Sequence, residues 1–519
     1  MIRRLVLILA LAGSAVSAQT LRIASAFDPQ TQDPHAIALL YHSRVAYQVH
    51  ESLVGRDAQF RLEPALAVSW QQLEPRRWRF KLRPDVKFHD GSTMTADDVV
   101  FSIERAMGRT SQRAFQLKGV SGSKAVDPLT VDILLEAPDA VLPEKLQYIS
   151  IMSRAWSERH GVQQSQDYNG KQETFAVRNA NGTGPYKLAR YEPDVRTVLQ
   201  RHTGWWGRAD PRNGNVAEVQ FVVIKSDATR LAALASGEVE LVLDPPFQDI
   251  ERLQREARLK VTGVAELGQQ YFTFDHARPE LEFSDVKGRN PFQDLRVRQA
   301  VWHALNIDLI IDKVLRGQAE PAGLFLSPLV DGVDPSTDRR LPYDPARARA
   351  LLAEAGYPNG FGVTLDCVNV TWRQNVCQAA VSMLTQVGIR ASLRTTAPNL
   401  FFPKLTQGTA SFVEYGWTAS PDAWNSLNGL FRTYDRNGLG SFNAGRYSNP
   451  KLDVLIDAIR VEPDIARRRG MVGEALKMVA ADLPYIPLYR RKLNWAMARN
   501  LTLVQWPNDM LELRWVKMN

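Results

Sequence analysis

In residues 77–83, Trp78, Phe80 and Leu82 alternate with arginine and lysine, the two-residue period of a strand with one buried face. A turn at His89-Asp90-Gly91 follows, and Thr95-Ala-Asp-Asp98 reads as a capping box with Asp where Glu or Gln is usual. The period then becomes helical, with Val99, Val100, Ile103 and Met107 on one face. Further on, Ser226-Asp227 opens a helix closed by Gly237, and residues 238–243 alternate again as a strand. In the second half, Asp344-Pro345 starts a helix with Gly356 just past its end. Residues 363–370, 374–387 and 389–395 read as strand, helix and strand with short connections, a β-α-β unit whose two strands are parallel. Asn449-Pro450 opens another helix, with Leu452, Leu455, Ile456 and Ile459 as its apolar stripe. The pattern is α/β throughout. No repeat or flexible linker divides it, so any domains are separated by packing.

The amino terminus breaks this pattern. Arg3 and Arg4 precede an apolar run over residues 5–12, and Val16-Ser17-Ala18 supplies small residues before Gln19. That is the layout of a cleaved export signal over residues 1–18, and the run is too short to span a bilayer. The residue after the expected cleavage point is Gln19 and not the cysteine a lipid anchor would use, and no later segment is long and apolar enough to span. The expected address is the periplasm, with the chain soluble there. A mean hydropathy of −0.26 agrees with that.

Charge adds little. The formal +8 is spread along the 519 residues rather than gathered in a patch, so it reads as solvated surface and no nucleic-acid partner is expected. Cys367 and Cys377 are the two cysteines. In an oxidising compartment they are expected to form a disulfide, with two free thiols as the alternative. The eight histidines are scattered, and no nucleophile elbow, zinc-protease helix or phosphate loop is present. His89-Asp90 invites an acid/base reading, but its place between strand and capped helix favours a turn. No catalytic residue, metal or cofactor is expected.

A more specific pattern runs through the whole mature chain. The segment 80–91, Phe-Lys-Leu-Arg-Pro-Asp-Val-Lys-Phe-His-Asp-Gly, and the helix from Thr95 to Arg105 resemble a hallmark of the peptide/nickel family (family 5) of extracellular solute-binding proteins. The similarity continues in order through Asp33-Pro34-His35, Pro64 to Trp70, Gly182-Thr-Gly-Pro-Tyr186, Pro291 to Ala300, Tyr343 to Pro358, Arg446 to Asp453 and Ile486 to Tyr489. The resemblance implies a non-enzymatic receptor of an ABC importer, a monomer that captures peptides and delivers them to the permease in the inner membrane. It also leaves open a non-peptide solute: a modified peptide, an opine, an oligosaccharide or a metal chelate. The fold implied is a two-lobed periplasmic binding protein of class II type. Its first-lobe core would comprise residues 19–45, 181–265 and 485–519, with an extra domain at 46–180 and a second lobe at 266–484.

The resemblance also implies a site between the lobes. Family peptide receptors resemble Gly-Trp-x-x-Asp at residues 416–420, the Asp holding the peptide ammonium. Here Gly416 and Trp417 match, Thr418 follows, and Ser420 stands at the Asp position with Asp422 two residues on. Asp422 either takes over the ammonium or merely caps the following turn. Tyr415 and Trp417 are expected to line the pocket. Tyr41, His42, Ser43 and Arg44 align with a cleft-facing segment, Arg44 facing a ligand carboxylate and His42 a polar group, unless they sit on an outer helix surface.

Overall fold

The computed structural model describes residues 19–435 and 439–519; the expected export segment, residues 1–18, lies outside the described residues. The first strand, Thr20–Ser25, runs parallel to Glu218–Val223 on one side and Leu241–Val242 on the other. Leu21, Ile23 and Ala24 are completely buried in it. Asp227–Ser236 is a helix capped by Ser226 and closed by Gly237 in the left-handed conformation. The alternation at 238–243 condenses to the two-residue strand Leu241–Val242. Asp244-Pro245-Pro246 follows, and two prolines without N–H donors end the ladder there.

One strand organises the molecule. Tyr485–Ala498 pairs at its start with Gln269–Phe274 and along its remainder with Leu259–Ala265 and Leu241–Val242. Its 14 residues thereby belong to both halves of a 12-stranded sheet, and each half forms the floor of one lobe. In the second lobe Phe361–Val368 and Ile389–Thr396 are parallel over eight residue pairs, joined by the helix Thr371–Gln386. The helix begins three residues earlier than its periodicity suggests. Cys367 and Cys377 are bonded to each other and tie this helix to its preceding strand.

Residues 67–135 hold a separate antiparallel sheet in the order Ala67–Glu74, Arg77–Leu82, Thr130–Leu135, Val120–Asp127. It packs on the helix Ala96–Met107, and Phe80, Val99, Ile103, Val131 and Ile133 make its own core. The capping box is present: the Thr95 N–H donates to Asp98 Oδ2 at 2.8 Å. His89-Asp90-Gly91 is a turn, with Gly91 at φ +91° and the His89 ring hydrogen-bonded to the Gly184 carbonyl. Gly182 lies so close to the Val49 carbonyl that a Cβ would sit 1.9 Å from its oxygen. That close approach fixes the chain at His50-Glu51, on the wall of the space between the lobes. Among the described residues no helix is long and apolar enough to cross a membrane.

Candidate functional site

A cavity of about 1080 Å³ lies between the lobes. Its walls come from the helix Leu40–Val49, from the four-stranded domain near Arg113 and Glu144, from the second-lobe loop 418–428, and from residues 506–514. At its base the chain crosses between lobes twice, and there Glu266 accepts two hydrogen bonds from the Arg491 guanidinium, at 2.8 and 2.6 Å.

Of the residues singled out from sequence, Ser43, Thr418, Ser420 and Asp422 line this cavity. Asp422 is half-buried, and its carboxylate accepts the backbone N–H of Trp424 at 2.8 Å and of Asn425 at 3.4 Å, capping the short helix Ala423–Ser426. Those bonds occupy part of the four lone-pair positions of a carboxylate. Burial pushes the Asp422 carboxyl up to about 6, with the nearby Glu144 adding to the shift. Ser420 donates to the Asp422 carbonyl at 3.0 Å. Trp417 stands behind the loop, its indole N–H on Ser426 Oγ at 2.9 Å and its ring against Phe442. Gly416 is packed on Gln270 and Tyr415 is buried in the second-lobe core beside Tyr485.

The first-lobe segment divides. Tyr41 stacks on Phe27 over a separate small depression. His42 is fully buried, and burial together with the charge of Arg113 pushes its pKa down to about 3. Arg44 already has two carboxylates, Asp509 at 2.6 Å and Asp244 at 3.5 Å. Only Ser43 of the four lines the cavity between the lobes.

Sequence patterning did not single out several residues of the wall. Trp424 lies between two cations, Lys145 at 5.5 Å and Arg460 at 5.2 Å from its ring. The Ala140 N–H donates to the Arg460 carbonyl at 2.9 Å, so the four-stranded domain meets the second lobe along this edge. Glu51 accepts the indole N–H groups of Trp205 at 3.1 Å and Trp206 at 3.0 Å, and burial pushes its carboxyl up to about 7. Arg460 follows Ile459 at the end of the periodic helix Pro450–Val461 but lies off its apolar stripe, and the adjacent Trp205-Trp206 pair is the one sequence feature that stands out.

The Glu51 arrangement has a pH signature. A carboxyl raised on folding favours the folded state at low pH, and that contribution is lost as pH rises through about 7. Glu51→Gln keeps an acceptor oxygen for the indoles and removes the charge. It is expected to raise the melting temperature by a few degrees at pH 8 and to change it little at pH 5. Differential scanning calorimetry at the two pH values checks this; equal shifts would mean that Glu51 is not the titrating group.

A family model, bacterial extracellular solute-binding proteins, family 5 Middle, matches residues 61–438. The glutathione-binding protein GsiB of Pectobacterium atrosepticum is 28% identical over 496 residues, covering 91% of this chain and 88% of that protein. HbpA2 from Haemophilus parasuis shares the fold with a TM-score of 0.83 at 23% identity, over 96% of this chain and 100% of its own. The periplasmic binding protein DppA from Helicobacter pylori, in complex with the peptide STSA, gives 0.71 at 22% identity, over 96% and 98%.

Proposed function

The chain belongs to the bacterial extracellular solute-binding proteins, family 5, and from that premise we propose that it is a periplasmic receptor that encloses a short peptide between its lobes and delivers it to an ABC importer's permease. The observation that carries the reading is the interlobe cavity of about 1080 Å³ with the Asp422 carboxylate on its second-lobe wall. Small-molecule pockets run to roughly 300–1,000 Å³, so the space suits a short peptide with bridging water. Asp422 serves as the ammonium anchor while it caps its helix, the two roles using different lone pairs. The glutathione-binding relative, similar over nearly the whole chain, supports a peptide ligand.

Transport needs no covalent step. A solute that touches both lobes favours the closed arrangement by its extra contacts there, and the equilibrium shifts accordingly. The two crossing segments near Glu266 and Arg491 are where the backbone would bend.

The test is calorimetric titration of the mature chain with short peptides and their N-acetylated forms. Asp422→Asn preserves one capping acceptor, since Asn is as good an N-cap as Asp, and removes the charge together with the weaker of the two accepted bonds, the one at 3.4 Å. Affinity for free-amine peptides is expected to fall at least about tenfold in the variant, the worth of a charge-assisted hydrogen bond. In the wild type it should weaken as pH drops below about 6, where Asp422 takes up a proton. Unchanged affinity in Asp422→Asn would remove Asp422 as the anchor. Absence of peptide binding, with one non-peptide mass in native mass spectrometry of the purified protein, would transfer the receptor role to another solute.

A further inference from the structure

The cations around the cavity sort into two groups. Arg56, Lys145, Arg491 and Arg514 each have a carboxylate partner. Arg113, Lys118 and Arg460 have none among the described residues. Lys118 is exposed, so water satisfies it, and Arg460 is half-buried against Trp424. Arg113 is different: it is only 4% exposed. Its Nη2 donates to Ser43 Oγ at 2.6 Å, its guanidinium lies 5.6 Å from the Tyr47 ring, and its Nε is buried with no acceptor. The imidazole beside it, His42, is held neutral and offers no counter-charge. A buried guanidinium without an anion is costly, and proteins supply the anion wherever they can. Here the open side is the ligand cavity.

We propose that Arg113, with the Ser43 hydroxyl, is the anion anchor of the site, and that the solute presents a carboxylate to it. The proposal rests on the peptide reading of the same cavity and narrows it to peptides with a free carboxylate. Ser43 accepts from Arg113 and keeps its own O–H to donate, so guanidinium and hydroxyl together offer a donor pair to a carboxylate. Asp422 stands on the second lobe and Arg113 on the first-lobe side. A ligand with ammonium and carboxylate therefore bridges the lobes, and loss of either charge removes one of the contacts that favour closure.

The experiment compares wild type, Arg113→Met and Arg113→Lys in the mature chain. Probes are di- to tetra-alanine, their C-terminal amides, and glutathione. Wild type is expected to prefer the acids over the amides by about thirtyfold, the lower range for truncating one partner of a buried charge pair. Arg113→Met should lose that preference by weakening the acids alone, with Arg113→Lys between. The unliganded melting temperature of Arg113→Met should stay level or rise, because the variant removes an unpaired buried charge. Acids and amides binding wild type alike, or Arg113→Met weakening both alike, would overturn the anchor while leaving the peptide reading intact. If no peptide binds, the peptide reading falls, and succinate against succinamide, with inorganic phosphate beside them, decides the anchor. Carboxylate binding lost in Arg113→Met sustains it; no binding of any anion, or binding indifferent to the substitution, ends it.

Discussion

Replacing Asp33 by Asn is expected to cost the fold about 3–5 kcal/mol, the usual penalty for removing one partner of a buried ion pair. Asp33 and Arg105 are both wholly buried. Arg105 donates to the two carboxylate oxygens at 2.8 and 2.6 Å, and the backbone N–H groups of His35 and Gln166 donate to the same oxygens at 3.0 and 2.9 Å. The carboxylate thus accepts four hydrogen bonds. Burial by itself would raise the Asp33 carboxyl, and Arg105 more than reverses this, holding it well below the usual carboxylate range. A depressed folded value means that the stabilisation is present above the ordinary carboxylate range and lost as pH falls through the folded value. Without the charge, Arg105 would keep the Val162 and Gln164 carbonyls, the His35 ring and a single amide oxygen at position 33. The pair also joins the amino-terminal segment to the helix Ala96–Met107, so its loss loosens the seam between the first lobe and the four-stranded domain. Urea unfolding at pH 7 measures the effect. The double variant Asp33→Leu/Arg105→Met should lose less than Asp33→Asn, because it leaves no orphan charge. A single-variant loss below about 1 kcal/mol would mean that water reaches Arg105 and the site is not dry.

The same cluster governs acid sensitivity. His35, His42 and His50 are buried and neutral, with pKa values pushed down to about 3, 3 and 4 by burial, helped by neighbouring arginines. The unfolded chain takes up their protons near the ordinary histidine value of about 6.5. Stability from these groups is therefore whole above that value and declines as pH falls toward 4.

These buried networks show how far sequence reasoning reaches. Alternation at Trp78, Phe80 and Leu82, the capping box at Thr95 and Asp98, and the β-α-β unit around the cysteines are local patterns, and local patterns survive folding. The two-lobed architecture came through family resemblance, because the pairing of Tyr485–Ala498 with strands two hundred residues away has no local signature. The segment Tyr41 to Arg44 illustrates the limit at the site. Successive residues on a helix point about 100° apart, so four in a row cannot all face one cleft. Ser43 lines the cavity, and its companion on that face is Tyr47, one turn later. Arg113 stands in a nonperiodic stretch, and its importance arises from what fails to pair with it, a property of the packed molecule alone. Asp422 carried two readings in the sequence, cap and anchor; the cap is visible, and a carboxylate has room for both.

Loss of the disulfide in Cys367→Ala/Cys377→Ala is expected to lower stability by about 2–3 kcal/mol. The bond closes a loop with a sequence separation of 10, and a loop of that size restricts the unfolded chain by about this much in the entropy model. Both sulfurs are completely buried. Beside them Arg373, in the first turn of the same helix, donates to the two Glu414 oxygens at 2.9 and 2.8 Å, and Glu414 is itself fully buried. The bond therefore also holds the start of the helix where Arg373 must stand to satisfy a buried carboxylate. Alanine is the better probe than serine, since a serine hydroxyl in that core would add an unsatisfied group. Neither cysteine lines the ligand cavity, so solute affinity measured well below the unfolding midpoint should stay close to wild type. Denaturant unfolding of wild type and variant, with and without reductant, separates the contributions. Reductant should destabilise wild type to about the level of the variant and leave the variant unmoved. Thiol titration of the denatured, unreduced protein should find no free thiol. Two titratable thiols there, or a variant as stable as wild type, would show that the helix start is held by the Arg373–Glu414 pair and its surrounding packing instead.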